Sequence, residues 1–167
     1  MQLKTRAKTT RMMKDIFIDD NIAKNFANPA DPEYIKLIIW LLDYSANPNQ
    51  DAYLVVSVKL LEEYAGTVGL CKYAQNIGVI VDKLNSQGRL VKKNNKEIRD
   101  FRDKHYTKRI CNRLTCSTND QNYHIPTVLL SNRRYALSID NNFVNDLKSF
   151  PGFNVTVAKR PQHINYR

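Results

Sequence analysis

Four carboxylates in this chain have local settings suited to holding a metal ion. Asp19 directly follows the apolar run Ile16-Phe17-Ile18, and Asp140 follows Tyr135-Ala136-Leu137-Ser138. Asp120 stands in the first turn of a helix opened by Thr118, where the helix dipole favours negative charge. Glu63 lies on the helix after a further apolar run, Tyr53-Leu54-Val55-Val56. Ligands of open α/β sheets collect beyond the carboxyl ends of the strands, so parallel strands bring all four positions toward one edge. Four carboxylates held together repel, and some protonate unless a divalent cation sits among them. An all-oxygen set suits Mg²⁺ or Mn²⁺ rather than zinc. Such a site suits phosphodiester hydrolysis, because the cation lowers the pKa of a bound water and neutralises charge on phosphate oxygens. For Ile16 to Asn21 the plain alternative is a strand followed by an acidic turn.

The elements that must position these acids show in local patterns. Short, continuous apolar runs mark strands buried on both faces, and they recur at 16–18, 53–56 and 135–138. Asn21 to Phe26 reads as a short helix that fades at Asn28-Pro29. Asp31-Pro32-Glu33 is a helix start, with Asp as cap and Pro at the first helical position. That helix is expected to bury Ile35, Ile38, Ile39 and Leu42, widened by Trp40 and Leu41, and to stop before Asn47-Pro48-Asn49. Ser57 is placed to cap a helix carrying Leu60 to Tyr64 and ending near Gly66. Another amphipathic helix is expected from Leu70 to Leu84, closed by the turn Asn85-Ser86-Gln87-Gly88. Thr118-Asn119-Asp120-Gln121 has the form of a capping box, opening a helix toward Leu130 that Pro126 must kink or split. Phe143, Val144 and Leu147 share a short helix, and Phe153 to Ala158 alternates as an edge strand. Helices between strands predict a parallel sheet with helices on its faces.

Composition narrows the function classes. With 167 residues, 43% hydrophobic and 25% charged, the chain matches one globular domain able to bury a core without staples. No apolar run approaches the roughly 18 residues that span a bilayer, so no membrane partner is expected. Residues 1–14 are basic with no apolar segment after them, so they read as a flexible arm rather than a secretory signal. Residues 15–167 then form a single domain. Three cysteines, Cys71, Cys111 and Cys116, are too few and odd in number for a disulfide framework, which suits the cytoplasm. The 26 Lys and Arg exceed the 16 Asp and Glu by ten, and the pI of 9.6 is that of a nucleic-acid-binding domain. The surplus concentrates in 89–113, where ten basic residues face three acids. Ile98, Phe101 and His105 or Tyr106 give this stretch one narrow apolar seam, so its helix is expected on the surface. Lys92, Lys93, Lys96, Arg99, Arg102, Lys108, Arg109 and Arg113 are then available to an RNA backbone, the alternative being a solvated charged face. His105, Cys111, Cys116 and His124 match no usual spacing of zinc ligands. The five glycines form neither a P-loop nor a dinucleotide fingerprint.

In their order along the chain, these motifs resemble those of the PIN-domain ribonucleases. Asp19-Asp20-Asn21 ends the first strand, and Ser57 is followed six residues later by Glu63. Asn119-Asp120 opens a helix, and Ser138-Ile139-Asp140 precedes Phe143. The resemblance runs from Asp15 to Leu147. It implies a PIN-like, Rossmann-like α/β/α sandwich with a central, mostly parallel sheet, and Mg²⁺- or Mn²⁺-dependent cleavage of single-stranded RNA. It implies that Asp19, Glu63, Asp120 and Asp140 are the catalytic, metal-binding acids, that Asn21 and Ser138 orient them, and that Asp20 and Glu62 are bystanders. A small stand-alone nuclease of this kind is similar to the toxin of bacterial toxin–antitoxin pairs, which implies an antitoxin protein, and homodimers are common among such proteins. The chain departs from the pattern at Asn141 and Asn142, where many members carry a further acid, and in Pro126 and the basic insertion before Asp120. A catalytically silent PIN-like module that binds RNA or acts in an assembly is the alternative.

Overall fold

The computed structural model describes residues 12–27, 30–68 and 77–167. Five strands, β1 (Lys14–Ile18), β2 (Ala52–Ser57), β3 (Leu90–Lys93), β4 (Tyr135–Leu137) and β5 (Thr156–Ala158), make one sheet in the order β3-β2-β1-β4-β5. Every pairing is parallel. The connections carry helices α1 (Asp20–Ala23), α2 (Pro32–Leu42), α3 (Val58–Val68), α4 (Ile77–Ser86), α5 (Asn95–His105), α6 (Lys108–Cys111), α7 (Ile125–Leu129) and α8 (Asn141–Lys148). This is an α/β fold of the Rossmann-like α/β/α sandwich type. Strand order reverses at β1, so right-handed crossovers place the helices before β3 on one face and those after it on the other.

The centre of the core is β1, whose Ile16, Phe17 and Ile18 are fully buried, as are Leu54, Val55 and Val56 of β2 beside it. The start of α2 follows its sequence signals: Asp31 accepts the Glu33 N–H at 3.1 Å, and Pro32 is the first helical residue. Its buried face does so only in part, at Ile38 and Leu41. Tyr34, Leu37, Ile38 and Leu41 turn inward, whereas Ile35 and Ile39 are 39% and 62% exposed. A helix apolar almost all round carries no phase of its own, and its packing partners set the rotation, with the buried Tyr34 ring also lying under the Arg160 guanidinium.

The basic stretch begins with a strand rather than with a surface helix. Leu90–Lys93 pairs with Leu54–Ser57 along the open edge of β2, and an edge strand tolerates lysines on its free side. Arg89, just before it, is a core strut. It is 1% exposed, and its guanidinium donates to the Leu41 and Ala52 carbonyls at 2.8 and 3.0 Å and to Gln87. Ile98 and Phe101 form the expected seam of α5, with Phe101 against Phe150 and Phe153. The expected arm over 1–14 lies outside the described residues up to 11, and Lys14 opens β1. The first residues of the expected 70–84 helix also lie outside the described residues. No described helix is long and apolar enough to cross a membrane.

Candidate functional site

The reversal of strand order between β1 and β4 creates a crevice beyond their carboxyl ends, the usual ligand site of open α/β sheets. Asp19 lies there. Its N–H bonds the Leu137 carbonyl at 2.9 Å, tying the end of β1 to β4. The side chain is 4% exposed. Oδ1 accepts the Asp20 N–H at 2.8 Å, and Oδ2 accepts the Asn21 amide at 2.8 Å and the Ser138 hydroxyl at 2.5 Å. Asn21 Oδ1 accepts the Ile139 N–H, and Ser138 Oγ accepts the Asp140 N–H. Asn21 and Ser138 therefore clasp Asp19 from the two neighbouring strand ends. Among the described residues Asp19 makes no ion pair. Burial raises its pKa from 3.8 to about 7, with the Ser138 hydrogen bond and His124 opposing and the charges of Asp20 and Asp120 adding.

Glu63 comes from α3, which starts at Ser57 with the serine hydroxyl accepting the Leu60 N–H at 3.1 Å. The neighbouring Tyr64 hydroxyl donates to the Ile18 carbonyl and pins this helix to the end of β1. Glu63 Oε2 lies 2.7 Å from His124 Nε2, which is also 4.0 Å from Asp120 Oδ1. The His124 ring is 1% exposed and packs against Phe17 and Phe143, with centroids at 5.6 and 6.4 Å. Burial lowers the His124 pKa, but the Glu63 hydrogen bond and the charges of Glu63, Asp19 and Asp120 outweigh it and hold it above the ordinary histidine value.

Asp120 and His124 occupy the two ends of a π-helical segment, Asp120–His124, that runs into α7. This segment answers the problem posed by Pro126. The Ile125 N–H reaches back to the Asp120 carbonyl, and the wider turn admits the proline ring without breaking the chain of helical residues. The helix is capped by Ser117 rather than Thr118, since Ser117 Oγ accepts the Asp120 N–H at 3.1 Å and Asn119 is already helical. The same hydroxyl donates to Asp120 Oδ2 at 2.6 Å. Burial raises the Asp120 pKa, opposed by Ser117 and His124 and reinforced by Asp140. Asp140 is the N-cap of α8, its Oδ1 accepting the N–H groups of Asn142 and Phe143 at 2.8 and 3.1 Å.

All four expected acids, with Asn21 and His124, line one open cleft of about 240 Å³. They are not equally close. One ligand atom each from Asp19, Glu63 and His124 lies within 4.8 Å of the others, whereas Asp120 and Asp140 line the cleft without joining that group. Asp20 pairs with Lys24 at 2.9 Å, and the exposed Glu62 lies 3.7 Å from Lys59. None of the eight expected RNA-binding cations lines the cleft. Lys93 comes nearest in the topology, level with Ser57 at the carboxyl edge of the sheet and two strands from β1, roughly 10 Å at the usual strand spacing. Lys92 precedes it on β3, and Arg99 is exposed on α5. Lys96 pairs with Asp100 at 2.6 Å, and Arg102 lies over the Tyr106 ring. Lys108, Arg109 and Arg113 are exposed on and after α6.

His124 is the site residue that the sequence reading did not place. The Asp120-x-x-x-His124 spacing puts both on one helix face and was the available signal. The zinc set that contained it is not assembled: His105 stacks on Phe101, Cys111 is exposed, and the Cys116 N–H bonds Asp146. No protein-family model, curated protein or solved structure matches the chain.

Proposed function

We propose that this chain is a divalent-cation-dependent endoribonuclease that hydrolyses phosphodiester bonds of single-stranded RNA. The observation that carries the reading is Asp19, a carboxylate almost sealed from solvent and clasped by Asn21 and Ser138, with no ion pair among the described residues and only the nearby His124 to offset its charge. A charge in such a place is costly unless a cation meets it. Glu63, Asp120 and Asp140 bring further oxygens to the same cleft, so the donor set fits Mg²⁺ or Mn²⁺, with open space for the waters these ions retain. Such an ion, when bound, supplies a water of lowered pKa and neutralises charge on the phosphate. In this reading Asp19 and Glu63 hold the ion, and Asn21 and Ser138 fix the direction of the Asp19 oxygens. Asp120 and Asp140 face the cleft as acceptors for water protons. The net charge of +10, with Lys93 at the carboxyl edge of the sheet, favours a polyanionic substrate. The order of the motifs, similar to that of PIN-domain ribonucleases, supports the same activity.

A catalytically silent RNA-binding module is the second reading. It is favoured by the Glu63–His124 pair and by the Asp140 cap, which give two of the four acids partners within the protein. Labelled single-stranded RNA incubated with Mn²⁺ or Mg²⁺ separates the two. The nuclease reading expects cleavage by the wild type that EDTA, Asp19→Asn and Asp140→Asn each abolish. Cleavage unchanged in both variants overturns the assignment of these acids. Wild-type protein that binds RNA with steep salt dependence yet never cuts it is the silent module.

A further inference from the structure

We infer that His124 is itself a metal ligand, and that it makes the cleft select a first-row transition ion such as Mn²⁺ over Mg²⁺. This rests on the metal-site reading above and adds an inner-sphere nitrogen that the four-acid set does not contain.

Three observations point to the imidazole. The tightest group of ligand atoms in the cleft is Asp19, Glu63 and His124, all within 4.8 Å of one another. Asp120 and Asp140 line the cleft outside that group, so the nitrogen completes the nearest three-ligand face. The ring is also built into the site. It is 1% exposed, Phe17 and Phe143 hold it from within the core, and among the described residues its Nδ1 has no hydrogen-bond partner. Among the described residues, the polar contacts of this buried side chain are those of Nε2 with the acids of the cleft.

Nε2 lies 2.7 Å from Glu63 Oε2, to which it is hydrogen-bonded, and 4.0 Å from Asp120 Oδ1. For Nε2 to serve as a ligand beside Asp19 and Glu63, that hydrogen bond would have to give way and the Nε2 proton would be released to solvent. Mg²⁺ takes oxygen ligands and keeps its waters, whereas affinity for imidazole nitrogen rises along the first transition row. An Asp–Glu–His face therefore favours such an ion over Mg²⁺ more strongly than a face of carboxylates alone.

The test uses the full chain stripped with EDTA and reloaded with Mn²⁺ alone. Electron spin-echo modulation of the bound Mn²⁺ is expected to show a directly coordinated imidazole nitrogen, lost in His124→Gln. Calorimetric titration is expected to show the variant losing Mn²⁺ affinity by about tenfold or more while its weaker Mg²⁺ affinity changes little. Mn²⁺ bound without nitrogen modulation in the wild type overturns the inference, makes His124 a counter-ion of Glu63, and leaves the metal site standing. Failure of both ions to bind the wild type overturns the metal site together with the inference. Should His124→Gln fail to fold by circular dichroism, the wild-type nitrogen signal decides alone.

Discussion

Replacing Asp19 by Asn removes a buried charge while keeping the side-chain shape, and the structure gives the sign of the effect at each pH. Burial raises the Asp19 pKa from 3.8 to about 7, so the folded protein holds this proton more tightly than the unfolded chain does. The contribution of the group to stability is complete below 3.8 and falls away as pH rises toward 7. With 1.36 kcal/mol per pKa unit, the metal-free fold loses about 1.6 kcal/mol from this group by pH 5 and about 4 kcal/mol by pH 8. Asn does not titrate. Its Nδ2 cannot accept from the Asn21 amide and the Ser138 hydroxyl as Oδ2 does, at a cost of about 1–3 kcal/mol that does not depend on pH. The prediction therefore lies in the slope. Relative to the wild type, Asp19→Asn should gain about 2–3 kcal/mol between pH 5 and pH 8, or about 4–12 °C in Tm for a chain of this size. The raised His124 pKa adds in the same direction, since its stabilisation is also lost as pH rises and the variant has less of it. Thermal melts of both proteins in EDTA at pH 5, 6, 7 and 8 measure the slope directly. A wild-type-minus-variant difference that is the same at pH 5 and pH 8 refutes the buried carboxylate whose partners leave its charge costly, and with it the main reason for placing a cation there.

Asp140 separates capping from chemistry: Asn caps a helix about as well as Asp, so Asp140→Asn should melt within about 0.5 kcal/mol of the wild type, whereas Asp140→Ala should lose about 1 kcal/mol. Both should lose RNA cleavage, and an Asn variant that cuts normally confines Asp140 to the cap. Arg89→Leu should cost about 3 kcal/mol or more in urea unfolding, because it leaves the buried Leu41 and Ala52 carbonyls without donors, and a surface-like loss below 0.5 kcal/mol contradicts its place as a strut. Lys93→Glu should weaken RNA binding uniformly across sequences and reduce the slope of log affinity against log salt by about one phosphate contact or more, which filter binding at several salt concentrations reads. An unchanged slope removes Lys93 from the RNA path.

The elements legible in advance were those whose burial is written locally. Residues 16–18 of β1, 54–56 of β2 and the whole of β4 are apolar without interruption because helices cover both faces of a parallel sheet. The start of α2 is spelled out by Asp31 and Pro32, and the acids that follow β1 and β4 stand out because polar groups there interrupt an apolar run. By contrast, β3 has only Leu90 and Val91 to announce it among basic residues, and it is a strand because β2 presents an unpaired edge to it. The rotation of α2 was illegible because nearly every position from Ile35 to Leu42 is apolar, so its neighbours chose the face. Sequence alone thus determined the parallel α/β plan and the four carboxylates available to one crevice. Tertiary structure decided which of them meet, and it added His124. That imidazole is separated from Glu63 by 61 residues, reaches it from a π turn, and is seated between Phe17 and Phe143. Its role depends on contacts across the chain, which no local pattern records.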